Sequence, residues 1–514
     1  MNTNADYDVA VVGMGPTGCV AAARLGQAGF KVLVIDKATE IYPKPRAIAM
    51  DHEIMRTFQE LDIADAIVKY TEPFTASEHF GADGQMIRRL DMLPPPYPMG
   101  WTPSMVFLQP PVEKILRERV TSFSNVSVKL GCELTTLHQD TEGVELVYND
   151  AVSQVTTARA KYVIGCDGAS SMVRRLAGIE LEDLDFDEPW LVIDVEANAS
   201  GMAKLPRSSA QYCEPSRPIS YVIGTGNHRR WEIMLLPGED PEAMLADDQI
   251  WQLLARWLSP EDGVLWRKAA YRFHALVAKD WHKGCVFLAG DAAHQQPPFL
   301  GQGMCQGIRD AVNLTWKLAH VLAKGDAAAN DMRCDELLSS YGLERGAHVR
   351  ALTTTIKGIG RYICERDITL ARARDAKLLA DQGGIVTSVP RQDLIPSLTT
   401  GLVSKESHTA HGSLFPQPRV RHDGAVMLMD DAYGRGWRLV TLDSALVQAL
   451  SGMAYRIFDD LAVIQLIELD GICAAWFDKY KCTAALVRPD HYVYAVMHSV
   501  DEVMTELITL KGRL

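Results

Sequence analysis

The segment YDVAVVGMGPTGCVAAARLGQAGFKVLVIDK, residues 7–37, constrains the fold more strongly than any other part of the sequence. The apolar, β-branched run at residues 9–12 is typical of a buried parallel strand, and residues 32–35 form a second run of the same kind. The residues between them have helix-forming composition. This order predicts the first strand, helix and second strand of a doubly wound α/β unit.

The turn after the first strand carries glycines at G-x-G-x-x-G spacing: Gly13, Gly15 and Gly18. In a strand–turn–helix context, such glycines permit a tight bend, close approach of a pyrophosphate, and close packing of the helix on the strand. Asp36 ends the second strand, where a carboxylate would accept hydrogen bonds from an adenosine ribose. A carboxylate at this place disfavours a ribose 2'-phosphate. The segment therefore predicts a site for FAD or NAD.

A second glycine-rich segment, AGDAAHQQPPFLGQGMCQGIRDAVNLTWKL, begins at residue 289, more than 270 residues after the first. It places Asp291 after an apolar strand, then a proline-bounded turn with Gly301 and Gly303, then a helix beginning near Gln302. NAD needs no second glycine-rich segment, because the first turn already provides its phosphate site. FAD is longer, and its ribityl chain and flavin ring need further backbone amides and an acceptor for hydroxyl groups. The segment favours FAD, although the glycines could merely shape a turn and Asp291 could merely cap a helix.

Length and composition limit the remaining possibilities. A chain of 514 residues predicts two or three domains, and a net charge of −13 argues against nonspecific nucleic-acid binding. We found no run long enough for a membrane span and no N-terminal signal peptide, which predicts a cytoplasmic protein. The ten cysteines show neither C-x-x-C pairs nor zinc spacing, so we expect reduced thiols and no metal site.

Three motifs together resemble one known family: GMGPTG at 13–18, GCDGASSMVRR at 165–175, and the second glycine segment. The chain is similar to the class A flavoprotein aromatic hydroxylases, which share the p-hydroxybenzoate and phenol hydroxylase fold. Within them it most resembles the 3-(3-hydroxyphenyl)propionate hydroxylase branch. The resemblance covers essentially the whole chain, including VRPDHYVY at 487–494.

This resemblance implies an α/β fold with three parts. They are an FAD-binding, three-layer ββα, Rossmann-like domain, an inserted antiparallel-sheet substrate domain, and a C-terminal thioredoxin-like module. The expected boundaries are residues 1–75, 102–185 and 276–390 for the FAD-binding domain, 76–101 and 186–275 for the substrate domain, and 405–514 for the module. Residues 76–101 read as irregular and proline-rich, and residues 305–381 as a long helical region. Cys473 and Cys482 form no C-x-x-C, so we expect a structural or dimer-contact module rather than a redox one.

The implied activity is hydroxylation of a phenolic ring with NADH or NADPH and O2, through a flavin 4a-hydroperoxide. FAD would be tightly bound, the substrate would be a small aromatic acid resembling 3-hydroxyphenylpropionate, and a homodimer is possible. Besides the first turn and Asp36, the resemblance implies FAD contacts from Arg46, Gln109, Asp167, Asp291, Pro298, Gly301, Gln302, Gly303 and Met304.

Catalytic and substrate-binding residues are less constrained by the sequence. A phenol-contacting group is expected among His52, Tyr212 and Tyr221, each of which could instead be a structural residue. Arg217 and Arg230 could clamp a substrate carboxylate or lie solvated at strand ends, and Trp231 could be pocket wall or core. Two other functions stay open: tailoring hydroxylation of a larger polycyclic phenol, and an FAD-dependent reductase that inserts no oxygen.

Overall fold

A computed structural model describes residues 5–325, 331–450, 453, 457 and 461–514 of the chain. Within these ranges no helix has both the length and the apolar character that a bilayer crossing requires. The described residues also contain no group of three or more His, Cys, Asp or Glu side chains placed to hold a metal ion.

The strands, in chain order, are β1 (Tyr7–Val12), β2 (Val32–Asp36), β3 (Ala49–Asp51), β4 (Thr71–Pro73), β5 (Ser77–Phe80), β6 (Met86–Asp91), β7 (Ser104–Phe107), β8 (Val126–Leu130), β9 (Glu133–Asp140), β10 (Gly143–Asn149), β11 (Val155–Gly165), β12 (Leu181–Ala197), β13 (Ser209–Tyr212), β14 (Ile219–Ile223), β15 (His228–Met234), β16 (Gly263–Ala278), β17 (His282–Lys283), β18 (Val286–Leu288), β19 (His294–Gln295), β20 (Ser388–Pro390), β21 (Arg419–His422), β22 (Ala425–Leu428), β23 (Arg438–Thr441), β24 (Ala462–Gln465), β25 (Ala484–Val487) and β26 (Val493–Met497).

The α-helices, in chain order, are α1 (Pro16–Gln27), α2 (His52–Glu60), α3 (Ala64–Ile67), α4 (Gln109–Thr121), α5 (Met172–Leu176), α6 (Ala199–Lys204), α7 (Asp247–Leu254), α8 (Gly303–Ala323), α9 (Met332–Ile363), α10 (Ile368–Asp381), α11 (Met429–Tyr433), α12 (Ser444–Leu450), α13 (Ile472–Tyr480) and α14 (Val500–Lys511). The expected long helical region is thus divided into α8, α9 and α10. Asp331 and Asp367 accept hydrogen bonds from backbone N–H groups at the starts of α9 and α10, as helix-capping residues do.

The first sheet contains eight strands in the order β17-β18-β11-β1-β2-β8, and β10 and β9 extend it from β11. The pairs β1–β11, β1–β2, β2–β8 and β11–β18 are parallel. The central strands are almost entirely buried because α1 and α8 cover them, which explains their continuous apolar runs. The predicted strand–helix–strand start of the chain is confirmed.

The second sheet contains nine strands in the order β19-β16-β12-β15-β14-β13-β5-β6-β20 and is mostly antiparallel. Two of its strands, β5 and β6, come from residues 76–101. The prediction that this stretch is irregular was therefore wrong for its first half. The prolines that suggested it begin at Pro94, after β6 has ended.

Each face of the second sheet packs against a different apolar cluster. On one face, Tyr212, Tyr221 and Trp231 pack with residues of α7. On the other face, Trp190, Cys213 and Met234 pack with Phe299 and Leu300, which precede Gly301. We call this second face the inner face, because it is the one turned toward the second glycine segment.

The last part of the chain forms a four-stranded sheet in the order β24-β23-β25-β26, preceded by the hairpin β21–β22. Strands β23 and β24 are parallel, whereas β25 is antiparallel to both of its neighbours. The segment VRPDHYVY supplies the end of β25, a turn, and the start of β26.

Candidate functional site: two glycine turns at one sheet edge

The three glycines of the first turn meet different steric conditions. Gly13 has a φ of +104°, and a β-carbon there would collide with the carbonyl group of Cys166. A β-carbon on Gly18 would collide with the carbonyl oxygen of Gly13. A β-carbon on Gly15, in contrast, would meet no heavy atom within 4 Å. The first and third glycines thus allow close packing, while the second leaves open space where a pyrophosphate would approach.

Asp36 closes this turn from the end of β2. Its carboxylate accepts hydrogen bonds from the backbone N–H of Met14 at 2.5 Å and of Ala38 at 2.7 Å. These bonds fix the carboxylate beside the turn, at the position where a ribose diol of the adenosine half would lie.

The second segment turns at Gly301, whose φ is +60° and whose N–H donates to the carbonyl of Pro298 at 2.6 Å. Helix α8 then begins at Gly303, preceded by Gln302, whose side chain does not cap the helix. A β-carbon on Gly303 would again meet no heavy atom within 4 Å. The first turn of α8, which includes Met304, therefore presents its N-terminal dipole to open space, which favours negative charge at a flavin pyrimidine edge.

The two glycine segments lie at the same edge of the first sheet. Gly13 follows β1 and Gly290 follows β18, and both strands pair in parallel with β11. A β-carbon on Gly290 would lie 2.9 Å from Oγ1 of Thr17, in the first turn of α1. Because ligands of open parallel sheets bind at the carboxyl ends of the strands, one extended ligand can contact both turns. This geometry is consistent with a long ligand such as FAD.

Asp291 lies between the two turns. Its side chain is exposed, yet the surrounding protein removes enough water to raise the pKa of its carboxyl. An exposed carboxyl suits the expected role as an acceptor for ribityl hydroxyl groups.

A buried ionic cluster holds the Asp291 turn in place. Asp310 of α8 accepts from the N–H of Gly290 at 2.9 Å and from Nε2 of His294 at 2.7 Å. It also accepts from Nε of Arg345 of α9 at 2.7 Å. The charges of His294 and Arg345 keep the pKa of Asp310 low although burial acts to raise it. Neither Asp310 nor Arg345 was identified from the sequence, because the partners of Asp310 lie 16 or more residues away.

Arg46 and Gln109 are close together, as predicted for two residues at one site. The side-chain oxygen of Gln109 accepts from the N–H groups of Arg46 and Ala47, at 3.2 and 2.6 Å. Gln109 thus fixes the backbone of the segment that leads to β3. A direct contact of either side chain with FAD stays a prediction.

Asp167 has a structural role that the sequence did not reveal. Its carboxylate accepts from Oγ of Ser171 at 2.5 Å and from the N–H groups of Met172 and Val173 at 2.6 and 3.1 Å. It therefore caps the start of α5. Both of its oxygens accept hydrogen bonds within the protein, and its contact with FAD stays a prediction.

Tyr212, Tyr221 and Trp231 lie on the face of the second sheet that packs against α7. Their rings are buried with α7, and those of Tyr221 and Trp231 lie 5.1 Å apart. Successive side chains in a strand point to opposite faces, so these three point away from the inner face. This placement does not support the predicted substrate contacts, which stay predictions, and Trp231 packs in an apolar cluster.

The two arginines expected to clamp a carboxylate are occupied by protein groups. Arg217 forms a bidentate pair with Glu239, at 2.9 and 2.6 Å. Arg230 lies on the inner face but binds Asp194, at 2.7 and 3.2 Å, and donates to the carbonyl of Arg46 at 2.8 Å. These two arginines connect parts of the protein, so the predicted clamp is not supported.

His52 lines a cavity of about 190 Å³ that also touches Leu300 and Gln302. For scale, an engineered cavity of about 150 Å³ can hold benzene. The wall also contains Asp51 and Arg309, whose side chains pair at 2.5 Å. Burial, only partly offset by the Asp51 carboxylate, lowers the pKa of His52 to about 4. His52 is therefore neutral at neutral pH, and its contact with a phenol stays a prediction.

A row of polar side chains on the inner face was missed by the sequence analysis. His79, Gln211, Ser220 and Glu232 are direct neighbours across β5, β13, β14 and β15. All four are buried. Alternation along each strand could have suggested a polar face, but the register that aligns four separate strands is not readable from the sequence.

Comparison with known proteins identifies the family. The family model described as "FAD binding domain" matches residues 6–355, and the model described as "HcaD C-terminal domain" matches residues 412–510. The first match alone spans more than half of the chain and includes both glycine turns. The chain belongs to the FAD-dependent aromatic hydroxylases. FAD is accordingly the cofactor of this chain, and its contact with the two turns stays a prediction.

Individual relatives agree with this assignment. A probable NADH-specific resorcinol 4-hydroxylase of Rhodococcus jostii (strain RHA1) is 36% identical, with 96% of this chain and 93% of the relative covered. A 3-(3-hydroxy-phenyl)propionate/3-hydroxycinnamic acid hydroxylase of Mycolicibacterium gilvum (strain PYR-GCK) is 32% identical, with 96% and 90% covered.

Solved structures share the fold of this hydroxylase over nearly its whole length. The flavin-dependent monooxygenase PieE superposes with a TM-score of 0.79 at 20% identity, covering 99% of this chain and 100% of that one. Aklavinone-11 hydroxylase gives 0.78 at 22% identity, covering 100% and 99%.

Proposed function

We propose that this hydroxylase adds one oxygen atom to the ring of a monocyclic phenol, such as resorcinol or a 3-hydroxyphenyl-substituted acid. The observation that carries this proposal is the meeting of both glycine turns at one sheet edge, opposite the partly polar inner face of the second sheet. The names of the 36% and 32% identical relatives support the monocyclic class. The overall reaction is phenol + O2 + NAD(P)H + H+ → diol + H2O + NAD(P)+.

Different residues of this chain bind different parts of FAD. Asp36 and the open space at Gly15 hold the ADP half, Asp291 accepts from the ribityl chain, and the start of α8 faces the flavin ring. When bound, FAD takes up hydride from NAD(P)H and activates dioxygen for transfer to the ring.

The apolar part of the inner face protects the reaction from water. Trp190 lies 5.6 Å from Phe273 and 5.7 Å from Phe299, ring centre to ring centre. Together with Met234 and Leu300, these rings form an apolar surface beside the second turn. Excluding water favours oxygen transfer to the substrate over wasteful release of peroxide.

We also propose that the C-terminal unit has a thioredoxin-like fold without redox activity. The strand order β24-β23-β25-β26, with β25 antiparallel to its neighbours, supports the fold. Burial raises the pKa of both Cys473 and Cys482, which disfavours reactive thiolates. A structural role is the better interpretation.

The test is a substrate screen on the purified, FAD-loaded protein. Resorcinol and 3-(3-hydroxyphenyl)propionate should each be examined for acceleration of NADH and NADPH oxidation, with product masses measured. We expect acceleration by at least one of them and a product heavier by one oxygen atom. Nicotinamide oxidation that yields only peroxide with all phenols would instead indicate a reductase, and turnover of polycyclic phenols alone would indicate a tailoring enzyme.

A further inference from the structure

The polar row of the inner face spans four neighbouring strands. Gln211 pairs in register with His79 on one side and with Ser220 on the other, and Ser220 pairs with Glu232. Side chains paired in this way stand next to each other on the same face of a sheet. Polar side chains in a buried position cost free energy unless they find partners, so a continuous row of four needs an explanation.

The row lies between two apolar clusters that both reach the second glycine segment. On one side, Cys213 and Met234 pack with Phe299 and Leu300. On the other side, Val222 packs with a cluster that contains Ala49, and a β-carbon on Gly301 would lie 3.1 Å from the side chain of Ala49. The row is thus flanked on both sides by apolar residues that pack near the turn that precedes α8.

Three members of the row have protein partners. Nδ1 of His79 lies 2.7 Å from the hydroxyl of Tyr362, and Oγ of Ser220 donates to the side-chain oxygen of Gln211 at 2.5 Å. Glu232 differs, because the residue is only 6% exposed and, within the described part of the chain, no hydrogen bond reaches its carboxylate. A buried carboxyl group without a hydrogen-bond partner needs an explanation, and a bound ligand would provide one.

Burial and the charges around Glu232 together place the pKa of its carboxyl near neutral pH. Burial raises the pKa of its carboxyl to about 7; Arg230 and Arg267 act to lower it, and Asp194 acts to raise it. Asp194 itself is paired with Arg230 and Arg267, at 2.7 and 3.3 Å. The remaining titratable group of the row, His79, is neutral, because burial lowers its pKa to about 3. Glu232 is thus the member of the row that can exchange a proton near neutral pH.

We propose that Glu232 accepts the proton of the substrate's phenolic hydroxyl, while Gln211 and Ser220 position the phenolic oxygen beside it. The inference rests on the proposed function and names the catalytic base that it lacks. The O–H bond of the phenol breaks, its electron pair stays on the oxygen, and the proton forms an O–H bond with the Glu232 carboxylate. The phenolate formed is richer in electrons at its ortho and para carbons, where oxygen is inserted. After turnover the carboxyl releases the proton to solvent.

The test replaces the carboxyl by a neutral group of the same shape, Glu232→Gln, in the FAD-loaded enzyme. With resorcinol as substrate we expect kcat/KM at pH 7 to fall by about 100-fold or more, the usual range for loss of a general base. We expect unchanged FAD absorbance and an unchanged or higher unfolding temperature, since no buried carboxylate remains to be desolvated. Glu188→Gln is the matched control. Burial also raises the pKa of this carboxyl, which lies on β12 outside the row, and the variant should keep wild-type kcat/KM.

The pH profile separates a proton acceptor from a structural residue. Wild-type kcat/KM should rise with pH around 7, whereas the Glu232→Gln profile should lack this rise and recover only as the pH approaches the pKa of the phenol itself, at about 10. Glu232→Asp, which keeps a carboxyl at a shorter reach, should retain part of the activity and the rise near pH 7. A Glu232→Gln enzyme with wild-type kcat/KM would overturn the proposal, as would a uniform loss without recovery at high pH. Failure of the wild type to yield a hydroxylated product would overturn the proposed function instead.

Discussion

Gly15 and Gly18 lie three residues apart in one turn, yet each must be glycine for a different reason. At Gly18 the protein itself occupies the place of a side chain, because the carbonyl of Gly13 lies there. At Gly15 the place is open, and the backbone, with a φ of −75°, is one that alanine also adopts. Gly18 is therefore required for packing of the folded chain, whereas Gly15 is required to leave space for the ligand.

This difference predicts opposite results for two alanine variants. Gly18→Ala should destabilise the protein by about 1–3 kcal/mol or more, because a β-carbon is forced into a packed backbone. Gly15→Ala should leave the stability of the FAD-free protein within about 0.5 kcal/mol of wild type but weaken FAD binding, because its methyl group fills the space needed by the pyrophosphate. Denaturant unfolding of the FAD-free proteins and FAD titration measure the two effects. Equal FAD affinity in Gly15→Ala and wild type would contradict the assignment.

At the scale of elements, helices α8 and α9 hold the second turn through the Asp310 cluster. The carboxylate binds the backbone of Gly290 on one side and Arg345 on the other, and both charged side chains are fully buried. A buried charge left without its partner is costly. The position of Asp291, one residue after Gly290, therefore depends on an interaction between two helices.

Asp310→Asn tests this dependence. Neutralising one partner leaves the Arg345 charge uncompensated, so we expect a loss of about 3–5 kcal/mol in unfolding free energy, together with weaker FAD binding. Arg372→Gln removes an exposed pair with Asp83 and should change stability by less than about 1 kcal/mol, without any effect on FAD. Denaturant unfolding and FAD titration of both variants provide the comparison. If Asp310→Asn binds FAD as wild type does, the cluster does not position the turn.

The elements also show which parts of the site a sequence can reveal. The turns at Gly13, Gly15, Gly18, Asp36, Gly301 and Gly303 could be predicted because their conformation depends on neighbours a few residues away. The side chains on the inner face of the second sheet could not be predicted in this way. Both faces of β13–β15 are buried, so Tyr212 and Tyr221 were as plausible as Gln211 and Ser220, and only tertiary packing distinguishes the faces. Likewise, Arg230 resembles a ligand clamp until Asp194, 36 residues away, is found beside it.

At the scale of the whole molecule, the C-terminal unit is joined to the FAD-binding part by buried charges. Arg488 donates to Glu344 of α9, at 3.1 and 2.7 Å, and to Asp490, at 2.9 and 2.6 Å. Asp490 in turn accepts from Asn313 and Trp316 of α8, each at 3.0 Å. Every member of this cluster is buried. Such a cluster specifies a single docking geometry more than it adds net stability.

Arg488→Met should therefore separate stability from catalysis. It leaves the Glu344 and Asp490 carboxylates with less positive charge around them, so we expect a loss of about 3–5 kcal/mol in unfolding free energy. Asn313 lies ten residues after the first residue of α8, which is about 15 Å along a helix, so kcat and FAD affinity should stay near wild type where the protein is folded. Arg421→Met, on an exposed arginine of the same unit, is the control and should change neither quantity.

An unchanged unfolding free energy in Arg488→Met would show that the two parts fold independently of their shared charges. Loss of FAD with intact stability would mean that the C-terminal unit supports the flavin site directly.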